Sequence, residues 1–136
     1  MAGYSGTPLA KKLGIKAGSR LLLANAPAEA EEWLAPLPEE VRRCGPREKN
    51  LDVIVLFVTR GTALIKAFKG LAARLNPAGG LWVAWPKKSS GVETDLNENW
   101  IRAIGISSGL VDNKVCAMSD VWSGLRFVIR MKDREK

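Results

Sequence analysis

Histidine is absent from this 136-residue chain. That removes the commonest general base, the Ser–His and Cys–His nucleophile pairs, and most zinc and iron sites. No metal is expected, and any catalysis has to run on carboxylates, lysines, the single tyrosine or a borrowed cofactor. Cysteine is nearly absent as well. Cys44 and Cys116 stand far apart and form no CxxC pair, so two free thiols are expected, one near a loop and one in a strand. No stretch approaches the ~20 apolar residues of a membrane span. The start, Met1 to Pro8, has neither the basic block nor the apolar block of a signal peptide. The expected compartment is the cytoplasm, with no membrane contact. Internal repeats and low-complexity segments are also missing.

What is present is ordinary for a soluble domain: 46% apolar and 26% charged residues in a length that one core can fill. A single domain over 1–136 is expected, with 1–19 a leader carrying a short helix and 132–136 a charged tail. The net charge of +7, from 21 Lys and Arg against 14 Asp and Glu, favours polyanions, phosphorylated ligands or acidic partners, or serves solubility alone.

The chain is organised around Leu51 to Thr59. Every residue from Val53 to Val58 is apolar, and the lack of alternation means that both faces of this strand are covered. Such a strand belongs in the middle of a mostly parallel sheet with helices above and below. Around it the pattern predicts further elements in chain order. Thr7-Pro8 opens a short helix to Leu13, with Gly14 as its left-handed stop. A first strand spans Arg20 to Ala24, a helix Ala28 to Leu34, and a short edge strand Val41 to Cys44. An amphipathic helix carries Leu64, Phe68, Leu71 and Leu75 on one face and ends in Asn76-Pro77-Ala78-Gly79-Gly80. A second buried strand runs from Leu81 to Trp85. Asp95, with Glu98 three residues on, reads as a capping box for the next helix, or else as a catalytic carboxylate pair. That helix buries Leu96, Trp100, Ala103 and Ile104. Strands Val111–Met118 and Leu125–Met131 then form an antiparallel hairpin.

Three segments carry a resemblance: "SGTPLAKKLGIKAG" near the start, "WVAWPKKSSG" at Trp82 to Gly91, and "VWSGLRFVIR" at Val121 to Arg130. With them the chain resembles, over nearly its whole length, a family of small bacterial proteins known as domain of unknown function 3052, which implies no established activity. The order of elements from the central strand to the last hairpin also resembles the C-terminal half of class I S-adenosylmethionine-dependent methyltransferases. This implies an α/β, three-layer, Rossmann-like domain with a mostly parallel sheet and a C-terminal antiparallel hairpin. In that fold a glycine-rich turn after the first strand holds the cofactor, and an acidic residue after the next strand holds its ribose. Here the turn is Asn25-Ala26-Pro27, no such acidic residue is evident, and Thr59-Arg60-Gly61 follows the central strand. S-adenosylmethionine is therefore a disfavoured cofactor.

Ligands of open α/β sheets sit beyond the carboxyl ends of the strands. Parallel strands would gather Asn25, Thr59, Arg60, Lys87, Lys88, Ser89, Ser90, Asp120, Trp122 and Ser123 on one rim. Lysines and Arg60 suit an anion, and the Trp122 indole offers a stacking face. The competing readings are a solvated loop for Lys87-Lys88 and a hydrophobic plug for Trp122. Trp82 and Trp85 read as core, Trp33 as a residue on a surface helix, Tyr4 as part of the flexible leader, and Cys116 as an inert thiol. The sequence thus points to a non-catalytic module that binds an anionic small molecule or protein partner at this rim. The alternative is a degenerate S-adenosylmethionine-dependent enzyme, and a weaker one is nucleic-acid binding by scattered basic charge. A homodimer through the hairpin edge or the first strand is a further option.

Overall fold

The computed structural model describes residues 7–134. Its elements are α1 (Leu9–Lys12), β1 (Arg20–Ala24), α2 (Ala30–Leu34), β2 (Arg42–Arg43), β3 (Leu51–Phe57), α3 (Gly61–Ala72), β4 (Leu75–Pro86), α4 (Glu98–Ser107), β5 (Leu110–Ala117) and β6 (Trp122–Ile129). The six strands form one sheet in the order β2-β1-β3-β4-β6-β5. Neighbours from β2 to β4 are parallel, and β6 is antiparallel to both β4 and β5. The domain is α/β with three layers, as its buried runs and helical spacing require.

Side chains leave β3 alternately toward two cores. Ile54, Leu56 and Val58 meet Leu64, Phe68 and Leu71 of α3 and Ile101 of α4. Val53, Val55 and Phe57 meet Ala10 and Leu13 beside α1 and Ala30 and Leu34 of α2. Burying each such aliphatic side chain contributes about 1.5–3 kcal/mol, so a strand wholly apolar from Val53 to Val58 is stable only between two helical layers. Phe68 and Phe127 close the first core edge to face, with centroids 5.3 Å apart.

Several elements differ from the sequence pattern. Pro8, not Thr7, occupies the cap of α1, and no side chain caps it. Gly14 does stop the helix, at φ 87°. The segment 7–19 is no loose leader, because Leu13 and Ile15 are buried in the second core and the buried indole Nε1–H of Trp82 donates to the Leu13 carbonyl at 3.0 Å. Helix α2 starts at Ala30, two residues later than the pattern suggests. Trp33 is not left over on the surface: it is half-buried against Phe57, at 6.3 Å. The Asn76 to Gly80 stretch is not a loop but the first half of β4, which pairs Leu51 with Leu75 before a register shift. Asn76 survives there because its Nδ2–H donates to Asp52 at 3.1 Å.

Helix α4 is capped by Asn97, whose side chain accepts from the Trp100 amide at 2.9 Å, so Asp95 is not its cap. The buried stripe of α4 is Ile101 and Gly105. Ala103 is exposed and Trp100 is 40% exposed, its ring against Gly61, where any Cβ would collide with it. Strand β6 begins at Trp122, three residues early. The tail is anchored as far as Arg134, whose Nε–H donates to the Ile129 carbonyl at 2.8 Å. Strand β1 lies between β2 and β3, and β2 pairs with only Arg20 and Leu21 of it. Tyr4 lies outside the described residues. Both thiols are free, as expected. Among the described residues, no helix is long and apolar enough to cross a membrane.

Candidate functional site

The register brings four chain segments to one edge. Ala24 lies opposite Leu56, Phe57 opposite Ala84, and Pro86 opposite Trp122. The loops leaving β1, β3 and β4, and the turn entering β6, therefore share the carboxyl edge of the parallel strands. The rim residues named from the sequence all lie on these segments. The Lys87 amide donates to the Val121 carbonyl at 2.7 Å, which ties the β4 loop to the β5–β6 turn.

Asn25 is exposed and takes φ 58°. This is the left-handed conformation that glycine adopts freely and that asparagine tolerates best among other residues. The turn after β1 thus has a glycine-type backbone without a glycine. Thr59 contributes its carbonyl rather than its hydroxyl: it accepts from Thr94 Oγ1 at 2.6 Å. Arg60 is exposed and meets the Glu93 carboxylate at 3.8 Å, a loose pair of the kind that contributes little. Lys88 and Ser89 are exposed. Ser90 is committed to its own turn, donating to the Lys87 carbonyl at 2.7 Å and accepting from the Val92 amide at 3.1 Å.

Trp122 takes the plugging role. It is half-buried, and its ring meets Phe57 edge to face with centroids 5.2 Å apart, so the indole packs into the second core instead of standing as a bare stacking surface. Ser123 lies within β6 opposite Trp85, and Asp120 is exposed in the turn before it.

The loop 91–97 adds residues that the spacing of the sequence conceals. Its Asp95 carboxylate accepts the Gly61 amide at 2.8 Å, satisfying an otherwise orphaned donor at the start of α3. Glu98 binds Arg102 at 2.7 Å, and the same guanidinium meets Asp112 at 2.8 Å. Hydrogen bonds to Asp112 and then Glu98 hold the Arg102 pKa above its ordinary value. A capping box and a catalytic carboxylate pair are both set aside by these contacts, since each carboxylate has a separate structural partner. Between this loop and the end of β4 opens a cavity of about 630 Å³, lined by Trp85, Lys88, Val92, Glu93, Asp95 and Glu98 among others. Asp95 and Glu98 are held closely by the Gly61 amide and Arg102, and Glu93 meets Arg60 only loosely. Lys87 and Lys88, in contrast, have no carboxylate partner among the described residues.

The edge fits S-adenosylmethionine poorly. The Asn25 backbone would permit close approach, but β2 ends at Arg43, paired with Leu21, three residues short of Ala24 along β1. The chain then turns through Gly45-Pro46, and the carboxylate of Glu48 is held by the Gly45 amide at 2.6 Å. No acidic side chain is thereby presented beside Asn25 from the end of β2. Among the described residues, no group of three or more His, Cys, Asp or Glu is placed to hold a metal ion.

Neither a protein-family model nor a curated protein matches the chain. Solved structures do. An S-adenosylmethionine-dependent methyltransferase from Aquifex aeolicus superposes with a TM-score of 0.58 at 12% identity, covering 90% of this chain and 88% of that one. A TehB-like methyltransferase from Corynebacterium glutamicum gives 0.55 at 10% identity, over 95% and 91%. The magnesium protoporphyrin IX methyltransferase of Synechocystis, solved with bound S-adenosylhomocysteine, gives 0.54 at 12% identity, over 90% and 78%. At such identities the likeness is one of fold: the chain has a methyltransferase-like, Rossmann-like α/β fold, and fold does not set function.

Proposed function

We propose that this chain, read as a relative of the domain of unknown function 3052 family, is a non-catalytic binding module that takes an anionic small molecule or an acidic protein segment at the carboxyl edge of its sheet. One observation carries the reading: Lys88 lines a 630 Å³ cavity, Lys87 precedes it in the chain, and neither has a carboxylate partner among the described residues. An anion held by this lysine pair gains charge-assisted contacts without displacing a carboxylate from either lysine. The absent histidine and the shortness of β2 support binding without chemistry. The cytoplasm is the compartment that accompanies this reading.

A second reading, a degenerate S-adenosylmethionine-dependent enzyme, is favoured by the left-handed Asn25 turn alone. One set of measurements separates the two. Isothermal titration against nucleotides and short acidic peptides should detect a ligand for the wild type and a loss of about tenfold in the Lys87→Ala/Lys88→Ala variant. Equal affinity in the variant moves the site elsewhere. A rise in melting temperature with millimolar S-adenosylmethionine or its demethylated product, through mass action, would favour the enzyme instead.

A further inference from the structure

The opposite, amino edge of the sheet holds a second concavity of about 540 Å³. Lys11 and Lys12 of α1 and the loop from Gly14 to Ser19 form one wall. The starts of β3 and β4 form another, and Lys114 and Arg126 complete the surface from β5 and β6. Among the described residues five cations face this space and a single carboxylate, Asp52, joins them. Asp52 makes no ion pair with these lysines: one of its oxygens accepts the Arg20 amide at 2.9 Å and the other accepts Asn76 Nδ2–H at 3.1 Å, and its one charge offsets at most one of theirs.

Folding alone gives no reason for this arrangement. Lys114 and Arg126 are direct cross-strand partners, and like charges placed opposite each other destabilise a sheet. Arg126 is the more costly. Its guanidinium lies against Gly80, with Cζ and Nη2 each 2.8 Å from where a Cβ would sit, a close approach that the bare glycine backbone of β4 allows. Burial, and then the neighbouring Arg134 charge, push its pKa down. Its guanidinium donates a long hydrogen bond to Asn113 Oδ1 at 3.4 Å, and it has no carboxylate partner among the described residues. Lys11, Lys16 and Lys114 likewise have none. A half-buried cation without a counter-ion is unfavourable until an anion reaches it.

We propose that this basin binds an oligophosphate, with Arg126 as its fork and the lysines as point charges along the chain of phosphates. The volume is that of a small-molecule site, and the cations are gathered in a hollow rather than strung along a stripe that would track a nucleic-acid backbone. Among the described residues no aromatic ring lines it, so they offer no platform for a nucleobase. Recognition is of the phosphates, and the rest of the ligand projects into solvent. The site is separate from the carboxyl-edge rim and does not rest on that reading.

The test is titration of the intact protein with inorganic tripolyphosphate, ATP, adenosine and a short single-stranded RNA, at two salt concentrations. Tripolyphosphate and ATP should bind alike, adenosine should not, and affinity should fall as salt screens the contacts. Arg126→Gln and, separately, the exposed pair Lys11→Ala/Lys16→Ala should each weaken tripolyphosphate binding by about tenfold or more, with Lys66→Ala, exposed on α3, unchanged. Circular dichroism checks folding, and if Arg126→Gln does not fold, the lysine pair decides. Absence of tripolyphosphate binding at millimolar concentration, binding of the RNA alone, or loss of binding only in Lys87→Ala/Lys88→Ala would each overturn the proposal.

Discussion

Trp82 shows how much one side chain can organise. Its ring is fully buried under α1, and its Nε1–H is the donor that satisfies the Leu13 carbonyl at the end of that helix. Replacing it with phenylalanine keeps an aromatic filler but strands a buried acceptor and leaves a small void. Trp82→Phe should cost about 2 kcal/mol, read as a lower urea midpoint at unchanged slope. An unshifted midpoint would mean that α1 is held by packing alone. Asp95 makes a related point. By spacing it belongs to α4, three residues before Glu98, yet its carboxylate serves the first amide of α3, 34 residues back in the chain. A capping pattern shows that a residue can accept an amide, not which amide it will meet.

At the scale of elements, protection from solvent follows the layering. Strand β3 and the Leu81–Pro86 half of β4 are covered on both faces and paired on both sides. Strand β2 is two exposed residues at one edge, and β5 forms the other edge with Val115 half exposed. Native-state hydrogen exchange should therefore be slowest for amides of β3 and the Leu81–Pro86 segment, and fastest for Arg42 and Arg43. Comparable protection at β2 and β3 would contradict this placement of the edges. The β4 extension explains why its first half escapes a periodicity reading. Asn76, Pro77 and two glycines look like a loop, but Asp52 and Leu51 of the neighbouring strand draw that segment into the sheet, and the glycines admit backbone and guanidinium at close range.

At the scale of the whole molecule, pH dependence follows from which groups shift. Hydrogen bonding to Arg43 lowers the Glu31 pKa, and the Gly45 amide lowers that of Glu48, from an ordinary 4.5. Their stabilisation is present above 4.5 and is lost as pH falls through the lowered folded values. Burial raises both thiols above an ordinary 9.0, so the folded state holds those protons longer and stability declines as pH rises from there. With no histidine, stability should be flat between about pH 5 and pH 8. Thermal melts across that range check it, and an inflection near neutrality would require a shifted group elsewhere. The architecture was legible in the residues themselves, because local periodicity and an apolar run such as Val53 to Val58 leave a chain few ways to hide from water. The exclusion of histidine chemistry was equally legible, since a missing residue type is missing in any fold. The charge map of the surface was not. Lys11, Lys16, Lys114 and Arg126 are separated by up to a hundred residues or so along the chain and meet through strand order and register, while Glu93, Asp95 and Glu98 gather beside the lysine pair at the other edge. Hydrophobic spacing sets which residues leave solvent, but long-range pairing alone sets which charges become neighbours.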